Sequence, residues 1–212
     1  GFELDADGHP GTIYITAPGQ NKIDIILHGK TAHAGIEPEK GINAIKGLGE
    51  ILINVPQGRI DEETTCNIGI ISGGVATDTV AISCEARRRN KDKLAEITRK
   101  IENAFIEGAA KAKLQAEVKI TECYSSYNLS EASATVKIAE QAAQSIGLPV
   151  KLAGTGGGSD ANNFNGYGIP CATLSVGMQK VHTCEEFIVE EDLYKTTEWV
   201  LAIVKEAGTY HI

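Results

Sequence analysis

Residues that could do chemistry cluster around a glycine-rich stretch late in the chain. Four glycines fall within positions 154–158, among them Gly156, Gly157 and Gly158, and Ser159 and Asp160 follow directly. Glycine buries no side chain and costs backbone entropy, so such a cluster indicates positive φ or a close approach of the backbone to a ligand. A plain flexible loop is the alternative, because glycine-rich loops without a fixed spacing are weak motifs.

Two histidines and two aspartates are candidate metal ligands or catalytic groups. His33 lies in a loop of small residues, and His182 is followed by turn and acidic residues. Neutral imidazole is the commonest metal ligand, although a lone histidine is more often an ordinary surface residue. Asp5 and Asp7, in an Asp-x-Asp-Gly sequence, fit metal carboxylates or simply the start of a turn.

Arginine and amide side chains provide candidate substrate contacts. Arg87, Arg88 and Arg89 end a predicted strand, where they form either a solvated edge or a guanidinium fork that holds a carboxylate in two hydrogen bonds. Asn67 lies within another predicted strand, and its amide either faces solvent or is aimed at a ligand.

The composition restricts the partners. The 212 residues carry 20 Lys plus Arg against 28 Asp plus Glu, a net charge of −8, without a basic stripe interleaved with aromatic residues. A small molecule or a protein is therefore expected as partner, and neither nucleic acid nor a membrane. Five cysteines without a CxxC spacing indicate neither a disulfide framework nor a structural zinc cluster. We expect a cytoplasmic protein, with no stretch as long and apolar as a membrane span.

The order of predicted elements indicates two domains. Residues 22–124 follow the order β-α-β-β-α-β, the ferredoxin-like pattern, with a helix starting at Pro38 and a second helix from Lys91 to about Lys113 capped by Asn90. A helix, strands and a last helix after residue 130 are typical of an α/β domain. We therefore predict an α/β domain in segments 1–20 and 127–212, interrupted by an inserted domain at 21–126.

Taken together, these stretches resemble the peptidase T-like branch of the co-catalytic zinc exopeptidases, the group that also includes carboxypeptidase G and succinyl-diaminopimelate desuccinylase. The matching segments run through nearly the whole chain in the family's order. They are residues 1–8 (GFELDADG), 29–35 (GKTAHAG) with 38–41 (PEKG), 67–69 (NIG) with 73–74 (GG), 85–87 (EAR), 156–162 (GGGSDAN) and 181–183 (VHT).

The resemblance implies an α/β catalytic domain with two zinc ions and a ferredoxin-like lid that also forms the dimer contact. It implies that Asp5 and His182 are zinc ligands, and that His33 reaches, often from the partner subunit, toward the scissile carbonyl oxygen. Asn67 and Arg87 correspond to lid residues that hold the substrate's backbone and terminal carboxylate. The loop from Gly156 to Asp160 would line the substrate cleft.

The same resemblance implies that machinery is missing. The family's His-x-Asp ligands, its bridging Asp and its Glu-Glu pair should all precede Asp5, and zinc needs three or four protein ligands. The first residue is Gly1 rather than Met, so we expect this chain to be the C-terminal part of the enzyme and inactive alone.

The expected activity is that of a zinc-dependent tripeptide aminopeptidase in which metal-activated water attacks the peptide bond of a short peptide. Cobalt and manganese are alternative metals. A deacylase or dipeptidase is an alternative within the enzyme class, and a non-catalytic module that forms homodimers is the alternative outside it.

Overall fold

A computed structural model describes residues 1–73 and 78–210. In this part of the chain there are eleven strands and five α-helices. The strands are β1 (Phe2–Asp7), β2 (Thr12–Ala17), β3 (Gly19–His28), β4 (Gly58–Arg59), β5 (Thr65–Gly73), β6 (Thr79–Arg88), β7 (Gln115–Tyr124), β8 (Tyr127–Asn128), β9 (Lys151–Gly154), β10 (Ala172–Gln179) and β11 (Phe187–Ile188). The helices are α1 (Ala44–Leu52), α2 (Lys91–Lys111), α3 (Ala134–Ser145), α4 (Asp160–Gly166) and α5 (Glu190–Thr209).

The chain divides into two compact units, which we call the inserted unit and the split unit. The inserted unit is Gly19–Cys123, and the split unit is Gly1–Pro18 together with the chain from Tyr124 on. The domain predicted at 21–126 thus begins two residues after Gly19 and ends three residues after Cys123. The predicted mixed α/β class is confirmed.

The inserted unit has the predicted β-α-β-β-α-β order. The strand order of its sheet is β4-β5-β6-β3-β7. Strands β3 and β6 are antiparallel, and Gln20 of β3 lies opposite Arg87 of β6. Helices α1 and α2 pack on this sheet. The core between them includes Ile23, Ile25, Leu27 and Phe105, because every second residue of β3 faces the helices.

The second helix of the inserted unit follows its sequence signals closely. The side chain of Asn90 accepts a hydrogen bond from the Lys93 backbone N–H at 2.9 Å, which is the predicted N-cap. The apolar face of the helix is buried and comprises Leu94, Ile97, Ile101, Phe105 and Ala109.

The predicted start of the first helix at Pro38 is wrong. Pro38–Lys40 forms only a short 3-10 turn. The backbones of Lys30 and Ile42 then exchange two hydrogen bonds, at 2.9 and 2.8 Å, which holds this stretch extended. Helix α1 begins after Asn43, whose side chain accepts from the Lys46 N–H at 3.0 Å. Gly74, in one of the segments that carry the resemblance, lies outside the described residues.

The split unit is built on a sheet of order β1-β10-β2-β8, with β11 added to β10 and β9 added to β2. Strands β1 and β10 are parallel, and β2 runs antiparallel to β10. Helices α3 and α5 complete a core around Ile13, Leu174 and Trp199. The fully buried Trp199 donates its indole N–H to the Ala139 carbonyl at 3.1 Å. Within residues 1–73 and 78–210, no helix combines the length and apolar character needed to cross a bilayer.

Candidate functional site

Asp5 lies at an irregularity of the β1–β10 pair. The register shifts between Leu4 and Ala6, so Asp5 is left out of the regular pairing, and its side chain is exposed. Such bulges re-aim a side chain and are common beside active sites. The pKa of Asp5 is raised, first by partial burial and then by the negative charges of Glu3 and Asp160, while His182 lowers it. The charges of Asp160 and His182 therefore both act on the Asp5 carboxylate.

His182 is held in a strained loop between β10 and β11. His182 and Lys180 both have positive φ, at 63° and 53°, which is uncommon for residues other than glycine. The Glu186 carboxylate accepts the His182 backbone N–H at 2.8 Å, and the Thr183 hydroxyl donates to the Lys180 carbonyl at 2.7 Å. These contacts fix the backbone and leave the imidazole exposed.

Glu3 is a site residue that sequence reasoning missed. Its carboxylate accepts hydrogen bonds from the Ser159 hydroxyl at 2.5 Å and from the backbone N–H groups of Asp160 and Ala161 at 2.8 and 3.0 Å. The Thr173 hydroxyl donates to the same carboxylate at 3.2 Å. The Glu3 carboxylate thus offsets the partial positive charge at the N-terminus of α4 and holds this turn against β1. Glu3 is two residues before Asp5 on the same strand.

The glycine-rich loop owes its composition only partly to backbone needs. None of Gly154, Gly156, Gly157 and Gly158 has positive φ, so that explanation of the cluster is wrong. A side chain at Gly158 would overlap the ring of Tyr124. A methyl group added at Gly156 would have no atom within contact distance, and one added at Gly157 would meet only the Thr155 hydroxyl. Gly158 thus accommodates Tyr124, whereas the space beside Gly156 and Gly157 is open.

Ser159 and Asp160 occupy different environments at the start of α4. Both donors of Ser159 are engaged within the split unit, the hydroxyl by Glu3 and the backbone N–H by the Asn162 side chain at 3.0 Å. The side chain of Asp160 is exposed. The carboxylate of Asp160 is thus open to solvent, whereas Ser159 serves the packing of the loop.

Asn162 is a second residue that the sequence did not single out. It is 1% exposed, and its amide nitrogen donates to the carbonyls of Pro18 at 3.0 Å and Ser125 at 2.8 Å. These two carbonyls lie where the chain leaves the split unit and where it returns. One buried side chain therefore ties the glycine-rich loop to both crossing points.

The three consecutive arginines have three different environments. Arg88 lies on the core face of β6, and its guanidinium bonds the Asp61 carboxylate and the Thr64 hydroxyl. Arg89 pairs with Glu63 at 3.7 Å. Arg87 lies on the opposite face of β6 from Arg88, its side chain is 29% exposed, and its Nε has no hydrogen-bond partner. Of the three, Arg87 is the one on the outer face of the sheet together with Asn67 and Glu85.

Asn67 lies close to Arg87 on the sheet. It is exposed and pairs with Glu85, two residues before Arg87, on the neighbouring strand. The register of β5 shifts between Ile68 and Ile70, next to Asn67. The two predicted substrate-binding residues of the inserted unit are therefore diagonal neighbours on adjacent strands.

His33 lies in a loop closed at its base by the Lys30–Ile42 bridge. The Gly35 N–H donates to His33 Nδ1 at 3.2 Å, so in the neutral ring the proton resides on Nε2. The side chain is exposed. A neutral His33 thus presents an N–H donor to its surroundings, which is the form that stabilises a developing oxyanion.

The His33 loop leaves the inserted unit's sheet at the end of β3 opposite Arg87. Arg87 is opposite Gln20 near the start of β3, whereas the His33 loop follows His28 at its end. At about 3.3 Å per residue, the eight steps from Gln20 to His28 span roughly 26 Å. The base of the His33 loop and the Arg87 position are therefore separated by nearly the full length of β3.

The described residues do not complete a metal site. Within residues 1–73 and 78–210, no group of three or more His, Cys, Asp or Glu side chains is arranged to hold a metal ion. Asp5 and His182 would supply two ligands, whereas zinc takes three or four from the protein. Zinc therefore does not fit these residues without ligands from elsewhere.

Comparisons with known proteins match this architecture. A family model described as a peptidase dimerisation domain matches residues 15–117. The chain is 45% identical over 212 residues to an uncharacterized protein of Bacillus subtilis, YqjE, covering 98% of the chain and 57% of that protein.

Two solved structures are also similar. Aminopeptidase PepT from Bacillus cereus is 40% identical with a TM-score of 0.84, over 98% of this chain and 57% of that one. A tripeptidase from Staphylococcus aureus is 33% identical with a TM-score of 0.87, over 96% and 56%. The chain thus spans a little more than half the length of each relative.

Proposed function

The chain belongs to the peptidase T-like family, and from this premise we propose that it contributes the lid, the dimer contact and two zinc ligands to an exopeptidase for short peptides. The observation that carries the proposal is the convergence of Asp5 and His182. They come from opposite ends of the sequence, yet β1, which carries Asp5, pairs with β10, which leads into the His182 loop. His182 also lowers the pKa of Asp5. The similar tripeptidase supports tripeptides as the substrate class.

The inserted unit's residues have complementary roles in this proposal. Arg87 would bind the terminal carboxylate of the peptide, and Asn67 beside it would hydrogen-bond the peptide backbone. His33 would donate its Nε2 proton to the oxygen of the scissile carbonyl as negative charge develops there. Because the loop that carries His33 leaves β3 at the end opposite Arg87, each site would take these two residues from different subunits.

A metal assay tests the ligand assignment. In the protein that the complete reading frame encodes, we expect Asp5→Ala and His182→Ala to lower bound zinc and to abolish release of the N-terminal residue from a tripeptide. His9→Ala is the matched control, because His9 is an exposed imidazole of the same unit that pairs with Asp192. Full metal content and turnover in both ligand variants would refute the assignment.

The chain on its own provides the complementary test. We expect residues 1–212 alone to show no hydrolysis of a tripeptide with added zinc, cobalt or manganese, because two ligands do not hold a catalytic zinc. Turnover by this chain that disappears in His182→Ala would refute the need for further ligands. Hydrolysis of acylated amino acids in place of tripeptides by the complete protein would favour the deacylase alternative.

Dimer formation by the inserted unit is the second proposed function, supported by the matched dimerisation domain. Strand β4 pairs with β5 only at Thr65 and Cys66, and among the described residues no strand pairs with this edge of β5 beyond them. Ile71 of β5 and Ile45 of α1 are about half exposed near this edge. An open strand edge flanked by apolar side chains suits antiparallel pairing across a two-fold axis.

Sedimentation equilibrium tests this edge. We expect Ile71→Glu to convert the dimer to monomer, because it would bury two carboxylates at the interface. Ile120→Glu, on the opposite edge strand β7 and similarly exposed, is the matched control and should remain dimeric. Dissociation of the control but not of Ile71→Glu would place the dimer contact elsewhere.

A further inference from the structure

Glu85 is the centre of a small hydrogen-bond network on the outer face of the inserted unit's sheet. Its Oε2 accepts from Arg87 Nη2 at 3.1 Å and from Gln20 Nε2 at 2.7 Å. Gln20 is directly opposite Arg87 on β3, and Asn67 is directly opposite Glu85 on β5. The carboxylate therefore lies among all the polar residues proposed to meet the substrate on this face.

The contacts of Glu85 are those of a fixed support. Glu85 and Arg87 are two residues apart on one strand, so their side chains leave the sheet on the same side. Gln20 holds the carboxylate from the neighbouring strand, so Glu85 does not depend on Arg87 alone for its position. Its side chain is 31% exposed and that of Arg87 is 29% exposed, which leaves both partly enclosed.

The guanidinium keeps binding capacity after this contact. Glu85 engages Nη2, and Nε is buried without a partner. A guanidinium has five N–H donors in a planar fork, four of them on the two Nη atoms, so the Nη donors that Glu85 does not use can still bind a second carboxylate. A free arginine side chain loses much rotamer freedom when it binds a ligand, and a side chain held in advance loses less.

We propose that Glu85, held by Gln20, is a positioning residue that aims Arg87 at the terminal carboxylate of the peptide. This inference rests on the proposed function, because it takes the ligand of Arg87 to be a peptide carboxylate. It adds Glu85 and Gln20 to the determinants of specificity for peptides with a free C-terminus over their amides.

Binding by the 212-residue chain tests the inference without catalysis. The sequence contains five arginines, so the ¹⁵Nε–H signals of an arginine-labelled sample can be assigned with an Arg87→Lys variant. Ala-Ala-Ala and its C-terminal amide are titrated to millimolar concentration while the Arg87 signal is followed. We expect the wild type to bind the acid more tightly than the amide.

The variants separate positioning from a general structural effect. We expect Glu85→Ala to weaken binding of the acid about tenfold and leave the amide unchanged, and Gln20→Ala to act in the same direction by about threefold. Glu85→Gln keeps an acceptor for Arg87 and should recover most of the loss. Asp24→Ala is the matched control, since Asp24 is a carboxylate on the same face that bonds Ser83 and Lys22.

The outcomes distinguish this inference from the proposed function. An unchanged ratio of acid to amide affinity in Glu85→Ala, tighter binding of the acid in that variant, or no preference for the acid in the wild type would each overturn it. In the protein from the complete reading frame, Glu85→Ala should raise KM for tripeptides with kcat unchanged. Preference for the acid without any hydrolysis would refute the exopeptidase and leave the positioning role standing.

Discussion

Replacing Asn162 should destabilise the split unit far more than an ordinary polar substitution. Its side chain makes three hydrogen bonds inside the protein, to the Ser159 N–H and to the carbonyls of Pro18 and Ser125. Asn162→Ala removes all three hydrogen bonds at once and leaves the three backbone groups without this partner. The carbonyl of Pro18 is the most enclosed of these groups, so water is least able to replace the lost amide there.

The magnitude follows from the groups left without partners. A buried donor or acceptor that loses its partner costs about 1–3 kcal/mol. Three such groups, two of them partly buried, give a loss of about 3–5 kcal/mol in the free energy of unfolding. For a unit of roughly 100 residues this corresponds to a fall in Tm of at least about 12 °C. Asn162→Asp keeps the volume but turns an oxygen toward two carbonyls, so it should lose a similar amount.

Trp199 provides the assay. It is the single tryptophan of the sequence and is fully buried in the split unit, so its fluorescence reports the unfolding of that unit. Asn163→Ala is the matched control, since Asn163 is the exposed neighbour on the same helix, and it should change stability by less than about 0.5 kcal/mol. A loss below about 1 kcal/mol in Asn162→Ala, or an isosteric Asn162→Asp as stable as the wild type, would refute the reasoning.

Three further predictions follow from individual contacts. Gly158→Ala should lower stability by about 1–3 kcal/mol because a methyl group meets the Tyr124 ring, whereas Gly156→Ala has open space, and equal unfolding midpoints would contradict this. The backbone N–H of Glu63 and the Arg88 guanidinium hold the pKa of Asp61 below its usual range. The contribution of this carboxylate to stability is therefore present at neutral pH and lost as the pH falls below about 4. Asp61→Asn should have a lower Tm than the wild type at pH 7 and the same Tm in acid, and a constant difference would argue against this. Burial raises the pKa of the Cys66 and Cys84 thiols to about 11 and about 12. At pH 8 a thiol reagent should therefore label the exposed Cys123 and Cys184 quickly, and the buried Cys66, Cys84 and Cys171 only on unfolding. More than two rapidly labelled thiols would contradict this burial.

Local signals in the sequence are sufficient for some elements and insufficient for others. Helix α2 is predicted nearly to its ends because its cap, Asn90, and its apolar period are both local. The predicted start of α1 is wrong because the Lys30–Ile42 bridge, which keeps residues before Asn43 out of the helix, joins positions that no periodicity relates. Propensity is overridden where a tertiary contact of this kind forms.

The candidate site shows the same division. Asp5, His33 and His182 are proposed from residue type and from the resemblance to a family. Glu3 and Asn162 are missed because their partners lie more than a hundred residues away, at Asp160 and at Pro18. The different faces of Arg87 and Arg88 follow from strand alternation once the strand is known, although the acceptor Asp61 of Arg88 does not.

The proposed origin of His33 and Arg87 from different subunits has a consequence for mixtures of mutants of the complete protein. If each site joins His33 of one subunit to Arg87 of the other, a His33→Ala subunit paired with an Arg87→Ala subunit has one intact site and one that lacks both groups. Two inactive proteins that exchange subunits freely would then regain about a quarter of wild-type activity when mixed in equal amounts, as in intragenic complementation. Two alleles that are each defective alone would thus restore activity when they are expressed together.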